Sequence, residues 1–107
     1  MLIDQGNILL IDLTKQISRP FIIVSNNVYN RQYDEVIVAK IIAKIDSNAN
    51  RGIRISGDDL VEGEIREDWL ILPDKLITFP QQSASKKLGK VKPRILSEVI
   101  EQIRSGF

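Results

Sequence analysis

Apolar residues fall in short runs divided by polar turns, and only the last run has a helical period. Asn7–Leu13 is almost wholly apolar and predicts a strand; Phe21–Val24 predicts a second, compact enough to be buried on both faces. Thr14–Ser18 between them is short enough for a hairpin connection. Asn26-Asn27-Val28-Tyr29-Asn30 has the composition of a turn or a single helical turn, because asparagine bonds its own backbone and tolerates unusual φ. Val36–Ile45 alternates: Ile37, Ala39, Ile41, Ala43 and Ile45 form one apolar face, while Lys40 and Lys44 share the other with Val36, Val38 and Ile42.

Asp46–Arg51 reads as a polar loop, and Gly52–Ser56 as a short strand with Arg54 turned away from Ile53 and Ile55. Ile65–Leu72 and Leu76–Phe79 predict two strand segments broken near Pro73, which cannot donate to a ladder. Pro80–Lys92 reads as an irregular loop. The period then changes. Ile95, Leu96, Val99, Ile100 and Ile103 recur at helical spacing, after Pro93 at a first helical position and before Gly106 as a stop. The expectation is one mainly β domain over residues 1–107, closed by a C-terminal helix.

Composition narrows the chemistry by what is missing. The 107 residues hold no cysteine and no histidine, which removes disulfides, thiol catalysis, cysteine-ligated zinc and the Ser-His-Asp triad. The six glycines never take the spacing of a nucleotide cradle. An enzyme built from this chain works with arginine, lysine, carboxylates, hydroxyls and backbone groups. No run approaches the ~20 apolar residues that span a bilayer, and the start lacks a basic leader, so the expected location is cytoplasmic, without a membrane partner.

The net charge of +1 conceals a separation of sign. Asp58, Asp59, Glu62, Glu64, Glu67, Asp68 and Asp74 crowd the middle; Lys75, Lys86, Lys87, Lys90, Lys92 and Arg94 follow without an acid among the last five. Such a basic segment attracts phosphates, although a solvated lysine-rich loop has the same composition. The carboxylates between Asp58 and Asp68 fit a solvated loop better than a Mg²⁺ site, so neither a metal nor another cofactor is expected. Trp69 reads as a core or interface anchor.

One motif carries chemistry. Arg19 stands immediately before Pro20, which biases it toward extended backbone, so its guanidinium projects from the entrance of a strand. Gly6-Asn7-Ile8, Arg19-Pro20, Val24-Ser25-Asn26-Asn27, Val36-Ile37-Val38-Ala39 and Leu72-Pro73-Asp74-Lys75-Leu76-Ile77-Thr78 together resemble the PemK/MazF-like toxins. Lys87-Leu88-Gly89-Lys90 before a helix resembles the ending of that family.

The resemblance implies an SH3-like β-barrel, usually a homodimer, that cleaves single-stranded RNA without a metal and is neutralised by an antitoxin protein. It implies Arg19 as the catalytic residue, and Asp74 and Lys75 at a position that contacts RNA; Gln16, Lys40 and Lys44 are further candidates for lining the same groove. Two departures stand out. Ile42 occupies the place of a catalytic threonine or serine, and Ile77 the place of an arginine. The alternative is therefore a catalytically degenerate barrel that binds RNA or a protein partner without cutting.

Overall fold

The computed structural model describes residues 1–42 and 51–106. Seven strands form one antiparallel sheet: β1 (Asn7–Asp12), β2 (Ser18–Ile23), β3 (Glu35–Ile42), β4 (Ile53–Ile55), β5 (Leu60–Gly63), β6 (Trp69–Pro80) and β7 (Ala84–Val91). Their spatial order is β4-β6-β3-β2-β1-β7-β5, and the sheet curls into a half-barrel. A short helix, α1 (Asn27–Gln32), links β2 to β3, and α2 (Pro93–Arg104) closes the chain. The mainly β, SH3-like barrel class with a C-terminal helix holds.

Because β1, β2 and β3 are central, they bury both faces, and the period of two sorts their side chains into two cores. Ile8, Ile22, Ala39 and Ile41 belong to one, together with Ile71, Ile95 and Val99. Leu9, Ile11, Phe21, Ile23, Val36 and Val38 belong to the other. Helix α2 covers the first. Ile95 and Val99 are buried there, whereas Leu96, Ile100 and Ile103 pack against its margin half-exposed. Pro93 sits in the first turn, where its missing N–H costs nothing, and Gly106 takes a positive φ of 74° just past the helix end.

Three sequence expectations need correction. The segments on either side of Pro73 are one strand, β6, which runs through the proline. Ala39 pairs with Leu76 but Lys40 with Leu72, so Pro73, Asp74 and Lys75 form a bulge that needs no ladder donor at the proline. Ile65 lies outside this strand and reaches the first core from coil. The supposed loop over Pro80–Lys92 contains β7, which pairs with β1 through two register shifts. Its Ser85, Lys86 and Lys87 are exposed, so backbone pairing holds the strand with no alternating apolar signal to announce it. The short β5 was likewise invisible; only Leu60 of its four residues is buried. For the Val36–Ile45 strand, Ala43, Lys44 and Ile45 lie outside the described residues, as does most of the Asp46–Arg51 loop.

The charge separation has a structural use. Glu62 of β5 pairs with Lys87 of β7 at 3.2 Å, and Arg94 at the start of α2 reaches Asp59. Asp59 also accepts from the Ser56 N–H at 2.8 Å, and its own carbonyl accepts from the Lys92 N–H at 2.8 Å. The backbone N–H of Ser56, aided by Arg94, holds the Asp59 carboxyl below the usual aspartate range despite its partial burial. The acidic turn thus ties the entry of α2 to the sheet.

Candidate functional site

The β1–β2 hairpin aims Arg19. Thr14 Oγ1 accepts from the N–H groups of Gln16 and Ile17 at 3.1 and 3.0 Å, closing a side-chain-capped turn. The Leu13 N–H donates to the Ile17 carbonyl at 2.8 Å, and Ser18 Oγ donates to Asp12 Oδ1 at 2.6 Å across the mouth of the hairpin. Arg19 then pairs with Ile11 as the second residue of β2, two places before Phe21. Pro20 is opposite Leu10, and pairing of β2 with β3 starts only at Phe21, so the proline stands where the central ladder has not yet closed.

Directly opposed residues of an antiparallel pair share a face, which decides what surrounds Arg19. Phe21 opposes Lys40, Val38 opposes Ile77 and Val36 opposes Phe79. Arg19, Phe21, Lys40, Ile77 and Phe79 therefore stand on one face, at the end of the second core. With Leu13 and Ile41 they line a cavity of about 240 Å³. The rings of Phe21 and Phe79 meet edge to face at 5.2 Å and form its apolar floor. Arg19 and Lys40 are both exposed, so the cations stand in water beside an apolar recess. Among the described residues, the Arg19 side chain donates only to the adjacent Ser18 carbonyl, at 2.9 Å. No carboxylate of the described residues claims it.

Of the residues selected from sequence, the fold brings Arg19 and Lys40 together. Gln16 lies exposed in the hairpin turn and is not a wall of the cavity. Asp74 and Lys75 sit on the β6 bulge, also outside the cavity, and Arg51 Nη2 donates to both Asp74 oxygens at 2.8 and 2.7 Å. Asp74 is thus occupied as an acceptor. Lys44 lies outside the described residues. Ile42 pairs with Leu70 and is not among the cavity walls, whereas Ile77 is one. Sequence reasoning missed Phe21 and Phe79. The available signal was the strand period, since each stands two places after Arg19 or Ile77 and shares its face.

A larger groove of about 730 Å³ separates α2 from the β2–α1 junction, between Leu96, Ile100 and Arg104 on one side and Val24, Ser25 and Tyr29 on the other. Beside it Ser25 and Asn30 are buried and satisfy one another: Ser25 Oγ donates to Asn30 Oδ1, and Asn30 Nδ2 donates to the Ser25 carbonyl at 3.0 Å. The Ile37 N–H donates to Ser25 Oγ at 3.0 Å, which locks α1 onto β3. Tyr29 donates its hydroxyl to Glu35 at 2.8 Å, and the negative acceptor raises its pKa.

A small antiparallel half-barrel with a C-terminal helix, carrying two cations beside an aromatic-floored recess, defines a class: the SH3-like barrels. Comparison with known proteins narrows that class. The family model for PemK-like, MazF-like toxins of type II toxin–antitoxin systems matches residues 4–107, and the chain belongs to that family. No curated protein sequence matches it. Among solved structures, it resembles an endoribonuclease from mycobacterial species at 19% identity and TM-score 0.72, covering 98% of this chain and 90% of that one. The Mycobacterium tuberculosis toxin MazF-mt6 is similar at 21% identity and TM-score 0.72, with 94% and 95% covered. A MazE-MazF structure from Deinococcus radiodurans is similar at 17% identity and TM-score 0.74, with 98% and 95% covered. At these identities the likeness establishes the fold.

Proposed function

We propose that the protein is a toxin-type endoribonuclease that cleaves single-stranded RNA and is held inactive by an antitoxin protein. The observation that carries this reading is the pairing of Arg19 with Lys40 at one apolar recess. In RNA the 2′-OH lies beside its own phosphate, so the substrate supplies proximity and no metal is required. The 2′ oxygen bonds to phosphorus, the bond from phosphorus to the 5′ oxygen breaks, and the products are a 2′,3′-cyclic phosphate and a 5′-hydroxyl. The protein's task is to stabilise charge on the phosphorane. Arg19 is suited to this, since the planar fork of a guanidinium can grip two phosphate oxygens at once. Lys40 adds a point charge that draws the backbone in.

Antitoxin control is supported by family membership and by similar structures described as an endoribonuclease in complex with its cognate antitoxin and as MazE-MazF. The working unit in this reading is a cytoplasmic homodimer, and sedimentation at micromolar concentration showing monomer alone counts against it. A second reading is favoured by a specific observation: the cavity walls among the described residues carry no hydroxyl or carboxylate to take the 2′-OH proton. In that reading the barrel binds RNA or a protein partner without cutting. Incubation with single-stranded RNA in EDTA separates the two. Fragments ending in 2′,3′-cyclic phosphate support the nuclease; intact RNA that remains bound supports the degenerate barrel.

A further inference from the structure

We infer that the cavity beside Arg19 seats one RNA base without reading its identity, and that Ile77 is the residue responsible. The inference rests on the nuclease reading and adds a statement about specificity. At about 240 Å³ the recess falls below the ~300–1,000 Å³ of drug-sized ligand sites, so it suits a single ring system. Its walls divide sharply by chemistry. Leu13, Ile77 and the half-buried Phe79 offer apolar surface above the buried Phe21 and Ile41, while Arg19 and Lys40 are the walls with charged side chains. With both cations engaged on the phosphate, no described side chain of the wall remains to exchange hydrogen bonds with a base edge.

Discrimination between bases needs such bonds. A pocket that excludes water by apolar contact separates ligands weakly, whereas one that presents hydrogen-bonding groups rejects a wrong partner strongly by leaving those groups unpaired. Every base has a π-face, so contact with aromatic and aliphatic walls is sequence-tolerant. Ile77 is the wall position best placed to change this. It lies opposite Val38, on the face shared with Phe79, and is 39% exposed, so a polar replacement points into the recess without opening the core.

The test sequences the cut ends that wild type and Ile77→Asn make in a randomised single-stranded RNA pool in EDTA. In wild type the base frequencies at the seated position should agree within about threefold. In Ile77→Asn the same position should acquire a preference of about tenfold or more, within the range expected of a well-placed amide–base contact. Circular dichroism melting checks that the variant is folded, and Ile77→Thr carries the same comparison should the asparagine lower the melting temperature. A wild-type preference above tenfold at the position the variant alters overturns the inference; a guanine preference would mean that Arg19 reads the base. A variant profile superimposable on wild type overturns it too, because the cavity then seats no base. Both outcomes leave the nuclease reading standing. Absence of cut ends refutes that reading instead, and anisotropy titration with A, C, G and U tetranucleotides then tests the seat alone. Affinities within about fivefold, all weakened at least tenfold by Ile77→Glu, support it; no binding, or a loss confined to one base, overturns it.

Discussion

Arg19→Ala is the most informative perturbation, because the structure separates its effect on activity from its effect on stability. The side chain is exposed at a strand entrance and donates only to the neighbouring Ser18 carbonyl among the described residues. Its removal opens no core cavity and breaks no described ion pair, so the stability change should stay within about 0.5 kcal/mol. For a domain near 100 residues that is a melting shift of at most ~4 °C. The rate should behave differently. Loss of one preorganised donor to a developing oxyanion costs about 10²–10³ in rate, or ~2.7–4 kcal/mol, and a bidentate fork loses at least that. Arg19→Lys should recover part of the rate, since an ammonium restores charge without the two parallel bonds. The assay is the initial rate of cleavage of a fluorophore–quencher RNA in EDTA, beside thermal melting of the same preparations. Binding of a 2′-deoxy analogue should weaken less than cleavage slows, because the extra interaction is made to the phosphorane. Cleavage by Arg19→Ala within threefold of wild type refutes the mechanism. A rate loss matched by a large fall in melting temperature refutes the claim that Arg19 acts on substrate alone.

The remaining predictions concern the scaffold. Ile71→Ala, at a fully buried position of β6 in the first core, should cost about 2–5 kcal/mol in denaturant-measured stability. Gly63→Ala should destabilise by more than about 1 kcal/mol, because Gly63 holds φ at +83° and an added Cβ would lie 2.1 Å from the Leu88 carbonyl oxygen; a neutral result would contradict the close β5–β7 approach. Asp59→Asn should lower stability at neutral pH. Since the folded carboxyl titrates below its unfolded value of ~3.9, its contribution is complete above that pH and disappears as pH falls through the folded value, so wild type and variant should converge in acid. A gap that widens in acid would reverse the sign of this argument.

Sequence alone determined the β1–β2 hairpin, the β3 strand as far as it is described, β4 and the amphipathic face of α2, because each advertises burial through a continuous apolar run or a regular period. The Arg-Pro pair at a strand entrance was equally legible, since proline dictates the local backbone on both sides. Where burial and backbone pairing part company, the sequence was silent. β7 exposes Lys86 and Lys87 and is held by ladder bonds to β1, and β6 absorbs Pro73 in a bulge whose existence depends on its partner β3. The site shows the same division. That Arg19 is available for chemistry follows from local sequence, but its company depends on register: Phe21 opposing Lys40 and Val38 opposing Ile77 gather the recess from three strands. Asp74, placed by the resemblance at a position that contacts RNA, is bonded by Arg51 across 23 positions of chain. Period and proline act within a few residues, whereas register and ion pairing join residues that only the folded sheet brings together.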